Sequence, residues 1–134
     1  ISYRGGAAYN ATQQEADPTE ASFDRRAHSY QQYQGEKLRR RFNALSYYRL
    51  SEAVDSHNIA RGRGTIAEAL SRIKARTLVV AISSDILFPV EAHTPLREHI
   101  ADVEYHLIES EFGHDGFLVE HEKLNTIIQK FINR

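Results

Sequence analysis

Asp85 and His114 are the two residues whose types and placement most invite chemistry. Asp85 follows the run 77–82 (TLVVAI), which is short, β-branched and nearly continuous, as a buried parallel strand would be. His114 lies in the loop after a second such run, 103–108 (VEYHLI). In open parallel sheets ligands bind outside the carboxyl ends of the strands. An acid after one strand and a histidine after the next reproduce the last two members of a Ser–acid–His triad in their chain order. In that chemistry the imidazole takes the proton of a serine nucleophile, while the acid fixes its tautomer and stabilises the imidazolium. Spacing alone also fits a turn or cap aspartate and a solvated loop histidine. The nucleophile is missing: no G-x-S-x-G turn occurs, and no serine sits at a strand–Gly–Ser–Gly–helix junction. The covalent step is therefore not expected of this chain by itself. Cys is absent, which excludes a thiolate nucleophile, disulfides and thiolate zinc sites.

The elements that must position this pair follow from periodicity. Residues 11–24 are polar and read as a loop. A helix is expected from about Asp24, its N-cap, to Phe42, with Tyr30, Leu38, Phe42 and Leu45 recurring at multiples of three or four and Tyr33 broadening the stripe. Gly35 inside it costs about 1 kcal/mol against Ala and calls for a packing or functional reason. Asn43 breaks the run before a helix over 44–56; 57–64 is a glycine-containing loop, and a third helix covers 65–73. Beyond it the order is strand 77–82, helix 90–100, strand 103–108, loop 109–115 and a last helix over 116–132. That β-α-β-α order predicts an α/β class with a parallel sheet. Two strands leave an edge and parts of both faces open, and the chain lacks Met altogether, so a portion of a longer protein is expected.

Charge divides the chain near the same place. Residues 1–74 carry a net +4 and residues 75–134 a net −5, giving −1 overall. A nucleic-acid role is disfavoured by that balance, and consecutive residues such as Arg39, Arg40 and Arg41 point in different directions on a helix rather than forming one stripe. No stretch approaches the roughly 18 apolar residues of a membrane span. His57, His93, His99, His106 and His121 show no metal-binding spacing, so no metal is expected.

Several segments together resemble the homoserine O-acetyltransferases: YQGEK (33–37) followed by RF (41–42), DSHNIARGRG (55–64), SSDILFP (83–89) and GHDGFL (113–118), with ISYR at 1–4. The resemblance implies the C-terminal part of an α/β-hydrolase fold. Residues 1–74 would be the end of a helical lid domain, and residues 75–134 the part of the core carrying the triad acid and base. It implies Asp85 and His114 as catalytic residues, and Asp115 and Tyr3 as substrate-binding residues. The activity implied is acetyl transfer from acetyl-CoA, a co-substrate rather than a bound cofactor, to the hydroxyl of L-homoserine. The nucleophile serine, the oxyanion-hole donors and a substrate-clamping arginine would lie upstream. A cytoplasmic homodimer joined through lid helices is further implied. Alternatives on the same scaffold are succinyl transfer to homoserine, acetyl transfer to serine, hydrolysis, or a non-catalytic dimerising fragment.

Overall fold

β1 (Thr77–Ile82) and β2 (Val103–Ile108) pair in parallel, in register from Thr77 opposite Val103 to Ile82 opposite Ile108. The apolar residues of β1 supply Val79, Ala81 and Ile82 to the core, and β2 supplies Ile108. The computed structural model describes residues 4–13 and 26–134. Over these, helices α1 (Gly6–Gln13), α2 (Arg26–Arg41), α3 (Ala44–Asp55) and α4 (Ile66–Leu70) precede β1. Between the strands runs α5 (Thr94–His99), and after β2 come α6 (Gly116–Val119) and α7 (His121–Ile132). The class is α/β, as the strand–helix order requires. The chain divides into two compact units, one from the stretches Ile1–Tyr9 and Ile59–Arg134 and one from Asn10–Asn58.

In the first unit the parallel pairing requires a crossover, and α5 provides it. A 3-10 turn over Val90–His93 leads into α5, whose second residue is Pro95, so the expected single helix over 90–100 is two pieces. Proline has no N–H to lose at a helix start, which suits it to this junction. α4 contacts α5, and Leu70, Ala69 and Ile100 are buried there. Thr65 caps α4 reciprocally with Glu68: the Thr65 hydroxyl accepts from the Glu68 N–H at 3.2 Å, and the Glu68 carboxylate accepts from the Thr65 N–H at 2.6 Å. That backbone bond, with help from the Thr65 hydroxyl, holds the Glu68 carboxyl below its ordinary range. The helix ends at Leu70, three residues before the expected end.

The last helix is also divided, at Glu120, whose backbone (φ −83°, ψ 34°) departs from helix. No Gly or Pro marks the break, so periodicity could not show it. Leu124, Ile127, Ile128 and Phe131 of α7 are half-buried at helical spacing, and α7 contacts β2.

In the second unit Asn43 terminates one helix and starts the next. Its side chain accepts from the Ser46 N–H at 2.8 Å, an N-cap bond. Neither α2 nor α3 contains a buried residue. The stripe expected to pack, including Leu38, Leu45 and Tyr33, stays exposed in the chain as it stands. A Cβ at Gly35 would meet nothing within 4 Å, so no close contact among the described residues requires a glycine there. The polar segment expected as a loop is helical over residues 11–13, the end of α1, where GAAYNATQ carries three alanines. Its remainder, the expected cap Asp24 included, lies outside the described residues.

Candidate active site

β1 and β2 leave the sheet side by side, and four consecutive links join their exits. The Ser83 N–H donates to the Ile108 carbonyl at 3.0 Å, continuing the ladder one residue past β1. The Ser83 hydroxyl accepts from the Ser110 N–H at 3.1 Å and donates to the Ser110 carbonyl at 3.3 Å. The Ser84 hydroxyl accepts from the Gly113 N–H at 2.9 Å. Asp85 Oδ2 then lies 2.7 Å from His114 Nδ1. The structure thus brings together the two residues that chemistry singles out, 29 positions apart, at the carboxyl ends of adjacent parallel strands.

Asp85 is a buried polar residue of the core, 8% exposed. Its other oxygen, Oδ1, accepts from the backbone N–H groups of Leu87 at 2.8 Å and Phe88 at 3.0 Å. Burial pushes its carboxyl up, but the bonds from His114, Phe88 and Leu87 outweigh it and hold the group below the ordinary aspartate range. A charged, acceptor-only carboxylate facing Nδ1 places a proton on that nitrogen, which leaves Nε2 as the basic nitrogen of a neutral ring. The ring is flanked by Phe88, with centroids 5.3 Å apart, and by Phe117 in an edge arrangement at 5.4 Å.

Two glycines let the His114 loop adopt this path. Gly113 has φ +64°, the left-handed region that side chains disfavour. Gly116 opens α6 against the sheet, and a Cβ there would lie 2.7 Å from Ile82 Cγ2.

Asp115 occupies the N-cap position of α6 but makes no side-chain capping bond. Its carboxylate lies 3.9 Å from Arg4 Nε, with both side chains about one-third exposed. Tyr3 lies outside the described residues. Ser84 and Ile86, the neighbours of Asp85, line a cavity of about 330 Å³ together with Arg4, Gly5, Gly6 and Glu111. From the sequence Ser83 and Ser84 count only as serines not placed as a nucleophile and Phe117 as an apolar residue of the last helix, while Phe88 carries no signal. The SSD triplet was the available signal for the serines, since a hydroxyl beside a strand-end acid is well placed to bond the neighbouring strand's loop. Among the described residues no group of three or more His, Cys, Asp or Glu is arranged to hold a metal ion. None of the described helices is long and apolar enough to cross a membrane.

No protein-family model matches the chain. Curated homoserine O-acetyltransferases do. The chain is 43% identical over 131 residues to that of Cyclobacterium marinum, covering 98% of this chain and 37% of the relative. It is 36% identical over 137 residues to that of Thermobifida fusca, covering 98% and 36%. It is 42% identical over 106 residues to that of Thermus thermophilus, covering 78% and 27%. The chain therefore spans between about a quarter and little more than a third of the length of the curated relatives it matches. In structure it is similar to MGS-M2, an alpha/beta hydrolase enzyme from a Medee basin deep-sea metagenome library. The TM-score is 0.63 at 17% identity, over 99% of this chain and 42% of that one. The architecture is that of part of an α/β hydrolase.

Proposed function

We propose that this chain, a homologue of part of the homoserine O-acetyltransferases, supplies the acid and base of an acyltransferase that carries acetyl from acetyl-CoA to the hydroxyl of L-homoserine. The observation that carries the reading is the 2.7 Å contact between Asp85 and His114 Nδ1 at the ends of two adjacent parallel strands. In this reading residues 75–134 are the C-terminal part of the hydrolase core and residues 1–74 the end of its lid. The nucleophile serine lies in another part of the longer enzyme.

The reaction runs in two halves. A serine hydroxyl attacks the thioester carbonyl while His114 Nε2 takes its proton; coenzyme A leaves with that proton, and an acetyl-serine remains. The homoserine hydroxyl then gives its proton to His114 Nε2 and attacks the acetyl ester, and the serine is re-protonated as the product leaves. Asp85 keeps the proton on Nδ1 through both halves and offsets the imidazolium charge. Asp115 receives the homoserine ammonium, its carboxylate being part-exposed and without a capping bond that would occupy it. Tyr3 is assigned to substrate binding on the family resemblance alone. Water must be kept from the acetyl-serine, which gives a lid its purpose. The reading extends to a cytoplasmic enzyme that dimerises through lid helices, in keeping with the exposed Tyr33, Leu45, Tyr47 and Val54.

The test is release of free coenzyme A by the longer enzyme that carries this chain, with acetyl- or succinyl-CoA and with or without L-homoserine. Homoserine-dependent release from acetyl-CoA is expected. Preference for succinyl-CoA would replace the acetyl assignment, and release without any acceptor would make the protein a thioesterase.

A further inference from the structure

Ser84 stands between two residues with obvious roles: Ser83, which extends the ladder, and Asp85, which meets His114. Its hydroxyl accepts from the N–H of Gly113, the residue immediately before His114. Gly113 is buried and has a left-handed backbone, so its N–H cannot turn to solvent without the loop changing path. We propose that Ser84 is a positioning residue for the acyl-transfer chemistry: by holding the Gly113 N–H, it fixes the backbone from which the His114 imidazole is aimed. The inference rests on the catalytic reading of Asp85 and His114 given above.

Geometry supports a division of labour among the three linked residues. Ser83 ties Ser110, four residues before His114, and so registers the start of the loop. Asp85 ties the ring itself at one nitrogen. Phe88 and Phe117 flank the ring at 5.3 and 5.4 Å, and the direction in which it leaves the main chain is set by the backbone at Gly113 and His114. Anchoring the preceding peptide removes the remaining freedom of the main chain. Small errors of aim matter, because a displacement of about 1 Å can cost about 100-fold in rate. Ser84 also lines the 330 Å³ cavity. If its hydroxyl were removed, that cavity could admit a water to partner the Gly113 N–H. The fold is therefore expected to survive while the aim of His114 loosens.

The experiment compares Ser84→Ala and Ser84→Thr with the unsubstituted longer enzyme, with His114→Ala as the control for the catalytic reading. Steady-state kinetics are measured against both substrates, alongside amide hydrogen exchange at Gly113. Ser84→Ala is expected to lower kcat about 10- to 100-fold. KM for acetyl-CoA and for homoserine should stay within about twofold, since the residue aims a base and does not hold substrate. Exchange at Gly113 should quicken, and Ser84→Thr, which keeps the hydroxyl, should restore most of the rate. A raised KM for either substrate with kcat kept would make Ser84 a substrate contact and overturn the proposal. Unchanged kinetics in Ser84→Ala, with His114→Ala inactive, would overturn it while leaving the catalytic reading in place. If Ser84→Ala fails to fold, a kcat for Ser84→Thr as low as that of His114→Ala would overturn it too. Full activity of His114→Ala would instead remove the catalytic reading on which it rests.

Discussion

The sheet unit and the helical unit are held together by different kinds of interaction. In the sheet unit the bonds are long-range. Ser83, Ser84 and Asp85 reach residues 27 to 29 positions away, and Leu70, Ala81, Ile82 and Ile108 are buried among neighbours distant in sequence. In the helical unit several ion pairs and hydrogen bonds lie within a single helix. Glu36 pairs with Arg39 and Arg40, and Glu52 with Arg49 and the Tyr48 hydroxyl, all within one helical turn. That bond from Tyr48 raises its phenol above the ordinary range. Exposed pairs of this kind contribute roughly 0–1 kcal/mol each, and isolated helices below about 12–15 residues are marginal in water. The sheet unit therefore carries its own reasons for its shape. In the helical unit Tyr47, Leu50 and Val54 are more than half exposed, and α2 and α3 bury no residue.

Substitutions can break or sharpen that contrast. The largest effect is expected of Asp85→Asn in the longer enzyme. Asn Oδ1 still accepts from Leu87 and Phe88, but its amide faces Nδ1 with a donor and favours the wrong tautomer. Turnover should fall by about 10⁴-fold with an unchanged circular dichroism spectrum; a loss below tenfold would deny the site its buried acid. Next, Leu70→Ala should destabilise the chain by about 2–5 kcal/mol, while Leu50→Ala should stay within about 0.5 kcal/mol. Denaturant unfolding of both variants tests this, and equal losses would erase the distinction between the units. Third, stability should depend on pH through Asp85. Its carboxyl is held low in the fold, so its contribution is fully present above the ordinary aspartate range, about 3.9, and is lost as pH falls below it. Asp85→Asn should flatten that acid limb in a pH series of unfolding midpoints; an identical limb in both proteins would contradict it. The smallest effect is Gly35→Ala, expected to stabilise α2 by up to about 1 kcal/mol and raise helical ellipticity. A loss of helix would mean that Gly35 serves a close contact after all.

The sheet unit was also the more legible in sequence, for the same reason. Its β-branched runs and its strand–helix alternation are global signals, and both strands fall where the runs placed them. Helix ends were read less well. Glu120 interrupts the last helix with no residue type to announce it, and Pro95 at the head of α5 was overlooked as a start signal. α1 was missed because two glycines precede its alanines. In the candidate site the ionisable pair was visible because only certain side chains can do acid–base work. Ser84 was not, because its importance lies in a bond to a backbone N–H that only the fold brings near. Arg4 beside Asp115 was hidden likewise, 111 positions away in the chain.

The central claim is that Asp85 and His114 act as one catalytic unit. A double-mutant cycle on kcat/KM for acetyl transfer to homoserine, using Asp85→Asn, His114→Ala and both together in the longer enzyme, tests it most directly. Residues acting as a unit lose their effect together, so the double variant should be no slower than His114→Ala alone, within about threefold. Losses that multiply, or a His114→Ala enzyme of near-normal rate, would contradict it.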